Sequence, residues 1–143
     1  MNSGAVKILA PMARLEQRTR LAKFAKVYQS LGLETSHWGW ERDESDSALP
    51  RVTACTESEI LHFGGGKAER GLGKHYLRWS SALLFRLVRD RPEAVHALGP
   101  EAALPVTIAR FLGRGPRVFI FDDADRFSLS HTLPGPTLPV IRA

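Results

Sequence analysis

Two periods of apolar residues alternate along the chain, and together they propose an order of elements. "VKILA" (Val6–Ala10) is a short apolar run interrupted once by lysine, suited to a buried strand. From Leu15 to Leu31 the period changes. Leu21, Phe24, Ala25, Tyr28 and Leu31 recur at spacings of three and four, which makes one helical face, and Gly32 stands where a C-terminal cap belongs. "ETSHWGW" (Glu34–Trp40) reads as a second strand, and the acidic, Ser-rich "ERDESDSALP" (Glu41–Pro50) as a surface loop. "EILHF" (Glu59–Phe63) is a third strand, closed by Gly64, Gly65 and Gly66. A long helix follows in "LGKHYLRWSSALLFRLVRDRP", with Leu77, Leu84, Leu87 and Val88 on its inner face and Pro92 ending it. "EAVHAL" (Glu93–Leu98) is the fourth strand, and residues 100–112 form a third helix in which Pro105 marks the place for a kink. "RVFIF" (Arg117–Phe121) is the fifth strand.

Strands separated by amphipathic helices predict a single α/β domain, a Rossmann-like parallel sheet with helices on both faces. In such sheets functional groups collect beyond the carboxyl ends of the strands. That rule draws up a rim made of Pro11–Met12, Trp38–Trp40, Gly64–Lys67, Gly99–Glu101 and Asp122–Ser128. It is expected to bring the glycine stretch together with the acids of "VFIFDDADRFSLSH" (Val118–His131).

Composition narrows the setting. The 143 residues suffice for one domain with a core, and 43% hydrophobic with 24% charged residues is the balance of a folded globular chain. No apolar run reaches the roughly 20 residues that cross a bilayer. Met1–Gly4 lacks the basic and apolar parts of a signal peptide, so a cytoplasmic location is expected. Cys55 is the single cysteine and can form no internal disulfide, and nothing beside it activates a thiol. The net charge of +5 favours acidic partners. The absence of an aromatic RNA-binding motif or zinc-finger spacing argues against nucleic acid. Arg14, Arg18, Lys23 and Lys26 flank the first helix, and Lys74, Arg78, Arg86 and Arg89 the second. They read as solvated faces or, alternatively, as a peripheral contact with anionic lipid at the inner face of a membrane.

Candidate chemistry lies at the rim. "GGGKAERGLGK" (Gly64–Lys74) follows a strand and precedes a helix, where backbone N–H groups can cradle phosphate, with Lys67, Arg70 and Lys74 to attract an anion. It is neither a Walker loop nor a dinucleotide fingerprint, and a plain surface loop stands beside the phosphate reading. "DDAD" (Asp122–Asp125) copies the Asp-x-Asp of phosphatases and metal-dependent sugar transferases, but only 18 residues follow Asp125, too few to complete either site. No metal is expected there. The remaining readings are contact with an organic ligand and a carboxylate capping a turn. His37, His62, His75, His96 and His131 show no metal-ligand spacing, and His62 and His96 fall within strands, where packing is the expected role. Trp38 and Trp40 share one strand face, for the core or for stacking on a sugar ring.

Three stretches, "VKILAPM", "LAKFAKVYQSLGLETSHWGW" and "RPEAVHALGPEAALPVTIARFLGRGPRVFIFDDAD", together resemble the N-terminal half of the family 4 glycosyltransferases. The resemblance implies the two-domain B-type fold, with this domain on the acceptor side of a cleft. A C-terminal nucleotide-sugar-binding domain would be supplied in cis or in trans. Many relatives carry histidine in the last segment, within Asp-x-His-Asp; here Ala124 stands at that place, and Asp122 and Asp125 are the matching positions. The implied function is transfer of a sugar from a nucleotide-sugar co-substrate to a glycan or lipid-linked acceptor, with no other cofactor. Asp122 and Asp125 are then the candidate catalytic acids. Gly64, Gly65, Gly66, Lys67, Arg70, Trp40 and Glu101 are the candidate substrate contacts. A non-catalytic Rossmann-like binding or partner-docking module is the alternative.

Overall fold

A computed structural model describes residues 4–11, 15–41, 55–65 and 72–122. The elements run β1 (Ala5–Pro11), α1 (Leu15–Ser30), β2 (Glu34–Glu41), β3 (Glu57–Phe63), α2 (Leu72–Asp90), β4 (Ala94–Leu98), α3 (Pro100–Phe111) and β5 (Val118–Asp122). All five strands are parallel, in the order β3-β2-β1-β4-β5. The expected Rossmann-like sheet with helices on both faces is the fold observed. The acidic loop 42–50, the first-strand loop from Met12 to Arg14, Gly66, Lys67, Arg70 and the segment from Asp123 through Asp125 to Ser128 lie outside the described residues.

Strand parity sorts the core into two layers. Leu9, Trp38, Trp40, Val95 and Ala97 point to the face covered by α2 and α3, against Trp79, Leu83, Leu87, Ala102, Val106 and Ala109. Ile8, Ala10 and Leu98 point to the other face, against Leu21 and Ala25 of α1, with Phe24 and Tyr28 at the margin. β1 and β4 are therefore buried on both sides, which is why their sequences read as apolar runs rather than alternating ones.

Local signals set the ends of the helices. Gly32 takes φ +74°, a left-handed conformation that ends α1, with its N–H on the Gln29 carbonyl at 2.9 Å. Leu31 belongs to this turn and is exposed, not part of the helical face as expected. α2 stops at Asp90, ahead of Pro92. Its inner face is a second correction. Tyr76, Trp79, Leu83 and Leu87 face the core and Leu84 and Val88 pack at its edge, but Leu77 is 69% exposed. α3 runs without interruption through Pro105, which is buried. At the sixth helical residue that proline forgoes one bond, to the Glu101 carbonyl. Among the described residues no helix is long and apolar enough to cross a membrane.

Candidate functional site

The carboxyl ends of the strands carry the expected rim, and the parity of each strand decides which face of the sheet its residues serve. On the α2–α3 face, β2 ends in Trp40, and β3 runs into Gly64 and Gly65. The Gly64 peptide is fixed from both sides: its N–H donates to the Glu41 carbonyl at 2.9 Å, and its carbonyl accepts from Trp40 Nε1 at 2.8 Å. Gly64 and Gly65 sit at φ +109° and +104°, which side-chain-bearing residues rarely adopt. A Cβ on Gly65 would meet Trp40 Cζ2 at 3.3 Å. Trp40 itself is buried, stacked 6.3 Å from Trp79 and edge-on to Tyr76 at 6.0 Å. Its indole forms the wall beneath the glycines.

His62, expected to pack within its strand, and two groups that the sequence pattern did not place at the rim, His75 and Tyr76, join this end. His62 Nε2 and His75 Nδ1 are 3.0 Å apart, so one ring donates a proton to the other. Burial holds the His62 imidazole below its ordinary pKa, with the charges of His75 and Arg78 adding to the effect. Tyr76, the residue after His75 and edge-on to Trp40, has its phenol pushed up by burial and by the Glu101 carboxylate. The signal that could have found His75 and Tyr76 was their place. They lie in the first turns of a helix that follows a strand-end glycine stretch, where the rim rule applies equally.

At the other end of the rim, β4 hands over to α3 through Gly99, φ +88°, beneath which the Glu101 carboxylate folds; a Cβ on Gly99 would meet Glu101 Oε2 at 2.7 Å. Glu101 also lies in the first turn of α3, where a negative charge is favoured by the helix dipole. The Gly99 N–H donates to the Asp122 carbonyl at 3.0 Å, which ties the end of β5 to the start of α3. Asp122 pairs in register with Leu98, so its side chain projects on the α1 face. There its Oδ2 lies 3.9 Å from Arg20 Nη1, and both side chains are about one-third exposed or less, at 32% for Arg20 and 27% for Asp122. Below them His96 is buried, with Nδ1 bonded to the Tyr28 hydroxyl at 2.8 Å and Nε2 without a partner. Burial lowers the His96 pKa, and the Asp122 charge opposes it. This packing is the role the sequence suggested for His96.

Sharing a rim is not sharing a pocket. The glycines follow β3 and Asp122 ends β5, and these are the two outer strands of the sheet. Four strand spacings of about 4.8 Å put them roughly 19 Å apart. The expectation that the glycine stretch and the acids meet is corrected accordingly for Gly64, Gly65 and Asp122; residues 66–71 and 123–125 lie outside the described residues. Among the described residues no group of three or more His, Cys, Asp or Glu is arranged to hold a metal ion. Of the basic residues beside the helices, Arg86 is held by Glu59 and Asp90 and Arg89 by Asp90, while Lys23 and Lys26 stand in solvent.

No protein family model and no curated protein matches the chain. Among solved structures it is similar to the C-terminal domain of a hydrogenase from Pyrococcus furiosus. The TM-score is 0.61 at 13% identity, over 86% of this chain and 93% of that one. The apo form of a Phytolacca americana UDP-glycosyltransferase aligns with a TM-score of 0.44 at 16% identity, over 88% of this chain and 31% of that one. What the first likeness defines is the fold class, a five-stranded Rossmann-like α/β domain.

Proposed function

We propose that this chain is the acceptor-side domain of a sugar transferase of the B-type two-domain architecture. The observation that carries the reading is Asp122. The stretch from Arg91 to Asp122, within the part that most resembles the family 4 enzymes, folds as β4–α3–β5 and delivers this carboxylate to the carboxyl-end rim, partly open to solvent beside Arg20. An acid so placed can orient an acceptor hydroxyl and take its proton as the oxygen attacks the anomeric carbon of a nucleotide-activated sugar. Asp125 is the second acid in the proposal, and Glu101 a neighbouring contact for acceptor hydroxyls. Gly64, Gly65 and Gly66, with Lys67 and Arg70, would meet phosphate at the far end of the rim, over the floor that Trp40 provides. A C-terminal nucleotide-sugar-binding domain, in cis or in trans, would bring most of the donor contacts.

A radiolabelled-sugar transfer assay tests this. The 143-residue chain alone is expected to show no turnover, because the donor is not positioned against the acceptor. Adding a nucleotide-sugar-binding domain restores transfer, and Asp122→Asn or Asp125→Asn then lowers turnover by roughly 10²-fold or more, the usual scale of a lost general base. Robust turnover by the isolated chain, or a restored enzyme indifferent to both substitutions, overturns the reading.

A further inference from the structure

α2 and α3 lie side by side over one face of the sheet, both running back from its carboxyl rim, and their outer surfaces form one layer. Opposite the core side of α2, Lys74, Arg78, Ser81, Phe85 and Arg89 recur at spacings of four and three. Leu104, Ile108 and Phe111 do the same on α3, opposite Ala102, Val106 and Ala109. Phe85 is 63% and Phe111 91% exposed, and Leu77, Leu104, Ile108 and Leu112 stand open beside them. These six large apolar side chains share one surface, whereas exposed apolar residues on a folded chain are ordinarily scattered singly.

Charge gathers on the same surface. From Leu72 to Arg117 stand eight basic and three acidic residues, so this stretch carries the whole net charge of +5, and the rest of the chain is balanced with twelve of each sign. The two acids of the helices are already engaged. Asp90 is held by Arg86 and Arg89, and Glu101 folds beneath Gly99. Arg78 lies toward β3, where its charge reaches His62, and Arg110 toward β5, 6.0 Å from the Phe119 ring. Cations therefore border the apolar residues on both outer sides, and Lys74 and Arg114 are exposed with them.

We infer that the outer surface of α2 and α3 is a docking face for an anionic lipid bilayer. Its composition is that of helices lying in the interface plane, with phenylalanine and leucine entering the acyl boundary and cations meeting lipid phosphates. The arginine stems can lie along the apolar side chains while their guanidinium groups reach the headgroups. Charge argues against a second copy, because two such faces would bring like charge against like charge. A nucleic acid would satisfy the cations and leave Leu104, Ile108 and Phe111 in water. With α2 and α3 along the membrane plane the sheet lies parallel to it, and the carboxyl-end rim opens sideways at the level of the headgroups. Lys23 and Lys26, on α1, are then on the far side of the sheet and face solvent. This inference stands independently of the sugar-transfer reading.

Vesicle co-sedimentation of the 143-residue chain tests it, with vesicles of phosphatidylcholine alone and of equal parts phosphatidylcholine and phosphatidylglycerol. Binding is expected to the mixed vesicles, weakening as salt is raised, and not to phosphatidylcholine alone. Arg78→Glu with Arg114→Glu should lower affinity for the mixed vesicles roughly tenfold or more. Lys23→Glu with Lys26→Glu removes the same charge from the α1 face and should change it far less. All four side chains are exposed, so unchanged circular dichroism is expected of both variants. A second measurement reads the face directly. In a Cys55→Ser background, a polarity-sensitive dye attached at Phe111→Cys should shift to the blue on adding mixed vesicles, and one at Lys26→Cys should not. No binding to mixed vesicles, equal losses from the two charge pairs, or a Phe111→Cys dye unmoved by vesicles overturns the proposal. So does a Phe111→Cys dye that shifts with protein concentration alone, which would give the face to a second copy.

Discussion

His37 couples the fold to pH through a single buried ring. Its Nε2–H donates to the Ala10 carbonyl at 3.1 Å, and its Nδ1 accepts from the Ser58 hydroxyl at 2.9 Å, so the neutral imidazole is fully used and a second proton has no place to go. Burial is the main reason its pKa falls from 6.5 to about 4, with the Lys7 charge adding and the bond to Ala10 opposing. The native state therefore binds fewer protons than the unfolded chain between those values. Stability from this residue is fully present above about 6.5 and is lost as pH falls toward about 4. At about 1.4 kcal/mol per pKa unit the loss is roughly 3 kcal/mol. Urea unfolding at a series of pH values should show the decline, and His37→Gln, which does not titrate, should flatten it by about that amount. An unaltered profile in the variant would assign the titration elsewhere. The same ring makes Gly39 specific, because a Cβ there would collide with the His37 ring and reach Ile60 Cδ1 at 3.0 Å. Gly39→Ala is expected to cost roughly 1–3 kcal/mol, as overpacking does when the neighbour is pinned. A thermal melt within a degree of wild type would show that the ring can move.

At the scale of elements, the period of the pattern was legible and its phase was not always so. α2 carries leucines at 77, 83, 84 and 87, enough to draw more than one stripe at helical spacing. The stripe through Leu77 and Leu84 and the one through Tyr76, Trp79, Leu83 and Leu87 are equally periodic. Trp79 decides between them, since it offers the largest apolar surface and stacks on Trp40 across the sheet. Leu77, two positions from Trp79, is turned about 200° away from it. Leu83→Ala should therefore cost roughly 2–5 kcal/mol, while Leu77→Ala stays within about 0.5 kcal/mol. Chemical denaturation of the two variants reads both, and comparable losses would mean that the face is wrongly placed. β1, by contrast, left no such choice, because a strand buried on both faces has no phase to mistake.

At the scale of the whole molecule, the sequence showed that strands and helices alternate and which residues stand at the carboxyl ends of the strands. It did not show the lateral order of the strands, which comes from which crossovers fall on which face. With α1 on one face and α2 and α3 on the other, β1 takes the centre between β2 and β4, and β3 and β5 are sent to opposite edges. A reading that lists strand ends without their order compresses the rim, and so Gly64 and Gly65 were expected beside Asp122 although roughly 19 Å separates them at about 4.8 Å per strand. Asp122, Gly64, Gly65, Glu101 and Trp40 were all legible as rim residues. His75, Tyr76 and Arg20 were not, because contacts across elements select them rather than any motif. The separation has a measurable consequence. Inorganic pyrophosphate, titrated into isotopically labelled protein, should shift the backbone amides of Gly64, Gly65 and the first turn of α2, where glycine N–H groups and a helix N-terminus favour an anion. It should leave Gly99 and Asp122 still. A neutral oligosaccharide should shift Gly99, Glu101 and Asp122 and spare the glycines. Gly65→Ala, strained at its positive φ, should weaken the first titration without altering the second, since sites this far apart act independently to within about 0.5 kcal/mol. One compact ligand that moves both ends together would mean that the rim closes into a single pocket.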